Sequence, residues 1–433
     1  MTSSESGLIL EMSREQALES MRAGLASLSE PDGTLELNGV DVNARCASPL
    51  LEAYVQPLLD AKNPNDLADA INKVQVDLFS LGIFKDVGVS MSQDKVLSIQ
   101  LPAASKFVAK VGTNVGQSEG SGYIRGTVCN ASGWGEIVTV DTSAGTRTRS
   151  SHLLNVSVPI PLRSCVGWKA ETLAYSSERM FEWASSKAYV KGFTARFSKG
   201  LSHSFGLDAV LRTFTSTKHT GNPHLFRDAG NSLKTSIFHN WRYDTRVPTE
   251  LIQGDGAGYM IDVHNEIAAA PSTSPFYKLL AKFYSSFELI RPVTGAFNAK
   301  LGFIKSLDRT QPTNFLDRFN LGGSLDLRGF RLNHAGPHAN GDAIGGDFLC
   351  AGGFSLFTPI PKVASPNLKF HNFVNAGYLG SFVSPLPSVS TGFGVIYTHP
   401  SARFELNFVL PLVSHTTELV HKGLQLGVGL EFL

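Results

Sequence analysis

Apolar and polar positions alternate along most of the chain, and the alternation is cleanest at its end. In residues 402–413, Ala402, Phe404, Leu406, Phe408, Leu410 and Leu412 are apolar at every second position, with Arg403, Glu405 and Asn407 between them. In residues 421–433, Leu424, Leu426, Val428, Leu430 and Phe432 alternate with Gly423, Gln425, Gly427, Gly429 and Glu431. A period of two predicts strands with one greasy face and one polar or empty face. Ser414 to Glu418 is polar and suits the turn between them. A half-buried strand of a soluble sandwich alternates in the same way. The greasy faces here are long enough for tilted strands crossing a bilayer, and the opposite faces suit a wet lumen.

The same pattern continues upstream. Candidate strands fall at 107–115, 121–130, 134–143, 149–158, 165–176, 187–198, 203–214, 231–243, 257–269, 276–289, 296–306, 343–357, 368–381, 389–398, 402–413 and 421–433. That even set predicts an all-β transmembrane barrel of about 16 antiparallel strands over 104–433. A propeller also uses many short strands, but no repeat of blade length recurs. One connection is out of scale, a long loop at about 307–342.

Before the barrel the period changes. Leu35 to Val40 reads as a strand. Leu50, Leu51, Tyr54, Val55, Leu58 and Leu59 have helical spacing. A second helix, capped at Asn65 or Asp66, carries Leu67, Ile71, Val74 and Leu78 on one face and stops at Gly82. Phe84 to Met91 and Val96 to Leu101 form a hairpin. The predicted unit is a small α/β (βααββ) domain over 34–103. Ahead of it, residues 1–33 read as a tail with a short amphipathic helix opened by Ser13 to Gln16.

Composition narrows the picture. Lys plus Arg total 38 and Asp plus Glu 37 in 433 residues, so no nucleic-acid footprint is expected. Charged residues are only 17 %, while Gly at 41 and Phe at 28 are frequent, which favours strands. No apolar run is long enough for a membrane helix, so a membrane-spanning form must be a closed barrel. Met1 to Glu15 resembles neither a secretory signal nor an Arg-rich transit peptide, which points to an organelle outer membrane. Cys46, Cys129, Cys165 and Cys350 are scattered and read as reduced thiols, with no metal site. Gly254, Gly256 and Gly258 do not bridge a strand and a helix, so no dinucleotide cofactor is expected. With no nucleophile or phosphate-loop motif either, an enzyme is not expected.

The long loop contains Gly322-Gly323 and Leu327-Arg328-Gly329-Phe330. Here the chain resembles the outer-membrane β-barrel insertases of bacteria, plastids and mitochondria, whose sixth extracellular loop carries such an Arg-Gly-Phe. Phe373-Val374-Asn375-Ala376-Gly377 resembles a second family element, Phe-x-Asp-x-Gly, with Asn375 in place of Asp. The small domain resembles the family's polypeptide-transport-associated domain; one copy looks mitochondrial. The chain's ending resembles the fungal type of the barrel subunit of the mitochondrial sorting and assembly machinery.

The resemblance implies an insertase that folds β-barrel precursors into the mitochondrial outer membrane. It implies accessory subunits of the machinery, intermembrane-space chaperones and membrane lipids as partners, and no nucleic acid. It places the N-terminal domain and both termini in the intermembrane space. It also implies contact between Arg328 and the strand bearing Phe373, Asn375 and Gly377. A neutral Asn375 predicts a hydrogen bond at that position, and either Glu405 or Asp347 could supply the charge. The lateral gate would join the first strand (Phe107, Ala109, Val111, Thr113, Val115) to the last (Gly423, Gln425, Gly427, Gly429, Leu430, Phe432). Gln425-x-Gly427-x-x-Leu430-x-Phe432 also fits the sorting signal of barrel clients. A passive protein-conducting or solute pore on the same barrel is the alternative.

Overall fold

A computed structural model describes residues 39–43, 46, 48–61, 63–91, 96–116, 119–216, 222–246, 258–290, 292–363, 365, 367–381, 386–399 and 402–429. The expected helix at 13–28 and the gate residues Leu430 and Phe432 lie outside the described residues.

The chain begins with β1 (Gly39–Asn43), α1 (Ser48–Asp60), α2 (Pro64–Ser80), β2 (Gly88–Met91) and β3 (Val96–Gln100). β3 is central, parallel to β1 and antiparallel to β2. Two helices and a strand supply the crossover that a parallel pair needs. Leu50, Leu58, Leu67, Ile71, Leu78, Leu97 and Ile99 form the core between helices and sheet. Of the strand expected at 35–40, residues 35–38 lie outside the described residues, and β1 runs on to Asn43. Two local expectations are corrected. β2 starts at Gly88, and Phe84 makes only an isolated bridge to Ala103. α2 starts at Pro64 behind Asn63, not at Asn65 or Asp66, because proline is favoured in a first turn where its missing N–H costs nothing.

The barrel strands are β4 (Phe107–Gly116), β5 (Glu119–Cys129), β6 (Ile137–Gly145), β7 (Thr148–Pro159), β8 (Trp168–Phe181), β9 (Ser186–Lys199), β10 (His203–Ser216), β11 (Gly230–Asp244), β12 (Gly258–Ala268), β13 (Phe276–Ile290) and β14 (Val293–Ser306). A short helix, α3 (Pro223–Arg227), lies between β10 and β11. Loop six follows β14, with a two-rung hairpin of β15 (His338–Ala339) and β16 (Asp342–Ala343). Then come β17 (Phe348–Pro359), β18 (Leu368–Gly380), β19 (Ser388–His399), β20 (Ala402–Val413) and β21 (Gly423–Gly429).

All sixteen strands from β4 to β14 and β17 to β21 form one antiparallel sheet in chain order. Expected and observed bounds differ most at β8, which runs 168–181 rather than 165–176, and at β17. The segment expected to begin a strand at 343 belongs to the β15–β16 hairpin, so loop six runs on to Asp347. β20 shows why these sequences form a barrel wall. Phe404, Leu406, Phe408, Leu410 and Leu412 are 41–57 % exposed on the outside, while Glu405, Asn407 and Val409 are buried inside. Among the described residues no helix is long and apolar enough to cross a membrane.

The small domain sits against the turns at the near end of the barrel. Gly135, in the β5–β6 turn, lies so close to Leu50 and Ile83 that an added Cβ would be 3.0 Å from Leu50 Cδ2. Gly167 N, in the β7–β8 turn, donates to Tyr54 Oη at 3.3 Å. Lys169 Nζ on β8 donates to Ser80 O at the end of α2 at 3.1 Å. Ile137 and Val166 pack on the domain's apolar core.

Candidate functional site

Loop six folds into the lumen and is fastened there by Arg328, which is 1 % exposed. Its Nε donates to Glu405 Oε2 at 3.0 Å and its Nη2 to Oε1 at 3.2 Å, a two-pronged contact. The guanidinium also lies 4.9 Å from the ring centroid of Phe373. With its amide turned so that the oxygen faces the guanidinium, Asn375 accepts from Nη1 at 3.0 Å. The charge therefore comes from Glu405, and Asn375 contributes a neutral hydrogen bond. Asp347 lies elsewhere, accepting from Thr313 Oγ1 and 3.7 Å from Arg318.

Glu405 is 0 % exposed and its oxygens are fully used. Arg403 Nη2 reaches Oε1 at 2.5 Å and Asn407 Nδ2 donates to Oε2 at 2.9 Å. Asn407 Oδ1 is then left as an acceptor, so His371 carries its proton on Nδ1 toward it, at 3.1 Å. His371 Nε2 accepts a hydrogen bond from the Ser355 hydroxyl at 3.0 Å. Buried ions and polar groups are tolerable only when paired this completely.

The rest of the motif shapes the fit. Gly329 has φ +85°, a conformation that disfavours side chains, and its N–H donates to Gln425 Oε1 on β21 at 3.1 Å. Gly322 and Gly323 turn the chain at φ +117° and +116°. Leu327 and Phe330, both 0 % exposed, join Phe319, Leu321 and Ala335 of the same loop in an apolar cluster against the inner wall. Gly377 makes room for that cluster: a Cβ there would be 2.8 Å from Leu321 and 3.3 Å from Leu327.

The same loop is laced to the segment ahead of the last strand. Phe330 bridges Val420, Arg331 N donates to Leu419 O at 2.9 Å, and His421 N to Gly329 O at 2.8 Å. Gly429 on β21 lies against loop-six Leu325, with only 2.6 Å available to an added Cβ. Gly427 is buried, and Gly423 opens the strand at φ +100°.

The first strand is held differently. β4 pairs with β5 from Phe107↔Val128 to Gly116↔Glu119. Phe107, Ala109, Val111 and Thr113 are exposed, Val111 to 77 %, and so are the alternate residues Val108 and Lys110. Val115 lies on the same strand. β4 and β21 approach within 8 Å between Cα atoms, yet among the described residues no ladder joins them.

Several anchors have no sequence motif. Glu418, expected as part of a polar turn, is 8 % exposed and accepts from Gly336 N, Ser388 Oγ and His415 N. Asp317 takes both oxygens to Arg212 Nη1 at 2.8 Å, tying the entry of loop six to β10. Lys300 holds Asp326. His334 Nδ1 and His338 Nε2 lie 3.1 Å apart with rings stacked. Burial, His338 and Arg331 push the His334 pKa down to about 4. No group of metal-ligating side chains occurs among the described residues.

The model of the Omp85 superfamily domain matches residues 130–432. Curated relatives resemble nearly the whole chain. A SAM50-like protein of Schizosaccharomyces pombe is 28 % identical, covering 88 % of this chain and 87 % of that one. The sorting assembly machinery 50 kDa subunit of Saccharomyces cerevisiae is 29 % identical over 76 % of this chain and 75 % of its own. The human sorting and assembly machinery component 50 homolog is 25 % identical over 90 % and 88 %. Among solved structures, BamA from Haemophilus ducreyi lacking POTRA domains 1–3 has a TM-score of 0.72 at 16 % identity, covering 91 % of this chain and 84 % of that one. At that identity the likeness concerns the fold.

Proposed function

The chain belongs to the Omp85 superfamily, and on that premise we propose that it folds β-barrel precursors and inserts them into the mitochondrial outer membrane by strand addition at the β4–β21 seam. The observation that carries this reading is the unequal hold on the two edges. β21 is pinned to loop six, while β4 is bare on both faces and unpaired toward the seam among the described residues. An unpaired edge offers N–H and C=O groups as a template for another strand. In lipid those groups have no water to satisfy them, so pairing there is strongly favoured. The precursor's terminal strand pairs with β4, its hairpins follow, and the new barrel leaves sideways. No catalytic residue, cofactor or metal takes part.

In this reading the small domain is a polypeptide-transport-associated domain, and it and both termini face the intermembrane space. Partners are the precursors, accessory subunits of the sorting and assembly machinery, intermembrane-space chaperones and lipids. The alternative, a passive conducting pore, is disfavoured by the packing of loop six inside the lumen, where Leu327, Arg328 and Phe330 are buried.

Disulfide scanning tests the proposal. With the four native cysteines replaced, single cysteines are placed along β4 or β21, and a precursor carrying a cysteine in its final strand is arrested during import. In-register crosslinks between that strand and Phe107–Val115 are expected. Crosslinks confined to lumen positions, or none while the precursor still inserts, would overturn the seam as the gate and favour the pore.

A further inference from the structure

The outer face of β8 to β11 carries an arrangement that loop six and the seam do not use. Ladder register puts Trp168, Lys199, His203 and Trp241 side by side on one rung, each the direct cross-strand partner of the next. All four point outward. Residues of the opposite alternation on these strands, such as Glu171, Arg196 and Asp208, make the lumen contacts. The rung lies at the barrel end where the small domain docks, since Lys169, next to Trp168, reaches Ser80.

One rung further into the membrane band are Phe197, Phe205 and His239. His239 stacks on Phe205 at 4.2 Å, and its Nε2 lies 3.5 Å from His203 Nδ1. The next rung on the same face carries Ala195, Leu207 and Ile237, the last two 58 % and 64 % exposed.

From outside to inside the face therefore grades from a cation and an imidazole between two indoles, through a second imidazole, to bare hydrocarbon. Tryptophans concentrate where bilayer meets water, and basic side chains at that level attract anionic headgroups. We infer that this rung binds one anionic phospholipid of the leaflet on the small domain's side, its phosphate at Lys199 and His203 and its chains along Phe205, Leu207 and Ile237. The surrounding bilayer supplies the occupant, because the face is continuous with the lipid-facing wall. Asp77, on α2, is the acidic group near Lys199; burial raises its pKa against the opposing pull of Lys73 and Lys199. Its proximity places the lipid beside the contact between domain and barrel.

The test is native mass spectrometry of the purified full-length protein, titrated with phosphatidylglycerol, with phosphatidylcholine of the same chains, and with inorganic phosphate. The wild type should retain phosphatidylglycerol over phosphatidylcholine, and inorganic phosphate should not displace it. Lys199→Gln should weaken the anionic lipid ~5-fold, the loss expected for one surface cation. Lys199→Gln with His203→Gln should weaken it further and leave phosphatidylcholine unchanged. Lys191→Gln, on the same face of β9 nearer its other end, should behave as wild type. Equal retention by the double variant overturns the site, as does equal loss in Lys191→Gln. Displacement by inorganic phosphate makes it a free-anion site instead. If the variants fail to fold, the wild type still decides: no preference between the two lipids overturns the proposal.

Discussion

β21 and β4 face each other across the seam and are held in opposite ways. β21 pairs with β20 and is pinned from the lumen by Gln425 to Gly329, by Gly429 against Leu325, and through Val420 to Phe330. Among the described residues β4 is paired with β5 alone, and β5 presents Gly120, Gly122 and Gly126 on the paired rungs. Glycine packs nothing and weakens a strand. On the proposed strand-addition mechanism, that difference puts the give of the seam on the β4 side, with loop six holding the other side.

Breaking the clamp should have the largest effect. Arg328→Ala leaves Glu405, at 0 % exposure, with Arg403 as its one remaining charge partner, a change that costs about 3–5 kcal/mol. Loop six and β21 should become protease-sensitive, and precursor insertion in isolated mitochondria should fall about tenfold or more. Wild-type protection of β21 in that variant would refute the clamp. Gly329→Ala comes next. It forces a side chain into φ +85° with its Cβ 3.0 Å from Val409 Cγ1, costing ~1–3 kcal/mol of stability, which a lowered unfolding midpoint reads. Gln425→Ala removes one hydrogen bond, worth about 1 kcal/mol, and hydrogen exchange at the Gly329 amide should rise accordingly.

The His334–His338 pair offers a pH test. The His334 pKa in the fold, about 4, lies below its ordinary 6.5, so the unfolded chain binds the extra proton between those values. Its stabilisation is complete above 6.5 and fades as pH falls toward 4. Loop-six protection should weaken from pH 7 to pH 5, and His334→Gln should remove that component. The smallest effect belongs to the free edge: Val111→Ala, at a side chain 77 % exposed, should move stability by no more than about 0.5 kcal/mol. A large loss there would mean that β4 is held after all.

Strand identity was legible because lipid on one side and a polar lumen on the other force the same alternation on every wall. Ends were less so: the strand expected from 343 begins only at Phe348, because residues 343 to 347 belong to the β15–β16 hairpin and loop six. Arg328 and its glycine were legible as a motif. Its partner was not chosen, although Arg403, Glu405 and Asn407 share one face of β20 and mark a polar strip inside the barrel. Asp347 lies ahead of its strand and has no such alignment. Glu418 left no trace, since a polar turn reads the same whether its carboxylate meets water or three buried donors. Asp317 with Arg212 was equally silent, being a contact across the lumen between residues far apart in sequence.

The docking of the small domain has a mechanical consequence. Tyr54, Leu50 and Ser80 meet the barrel through β8 and the turns flanking β6 and β7, on the half that carries β4. In the proposed mechanism the domain is bolted to one jamb of a door whose other jamb is loop six. A half that swung to admit a strand would carry the domain with it as a lever arm, turning a small widening in the membrane into a larger sweep at the domain's far edge.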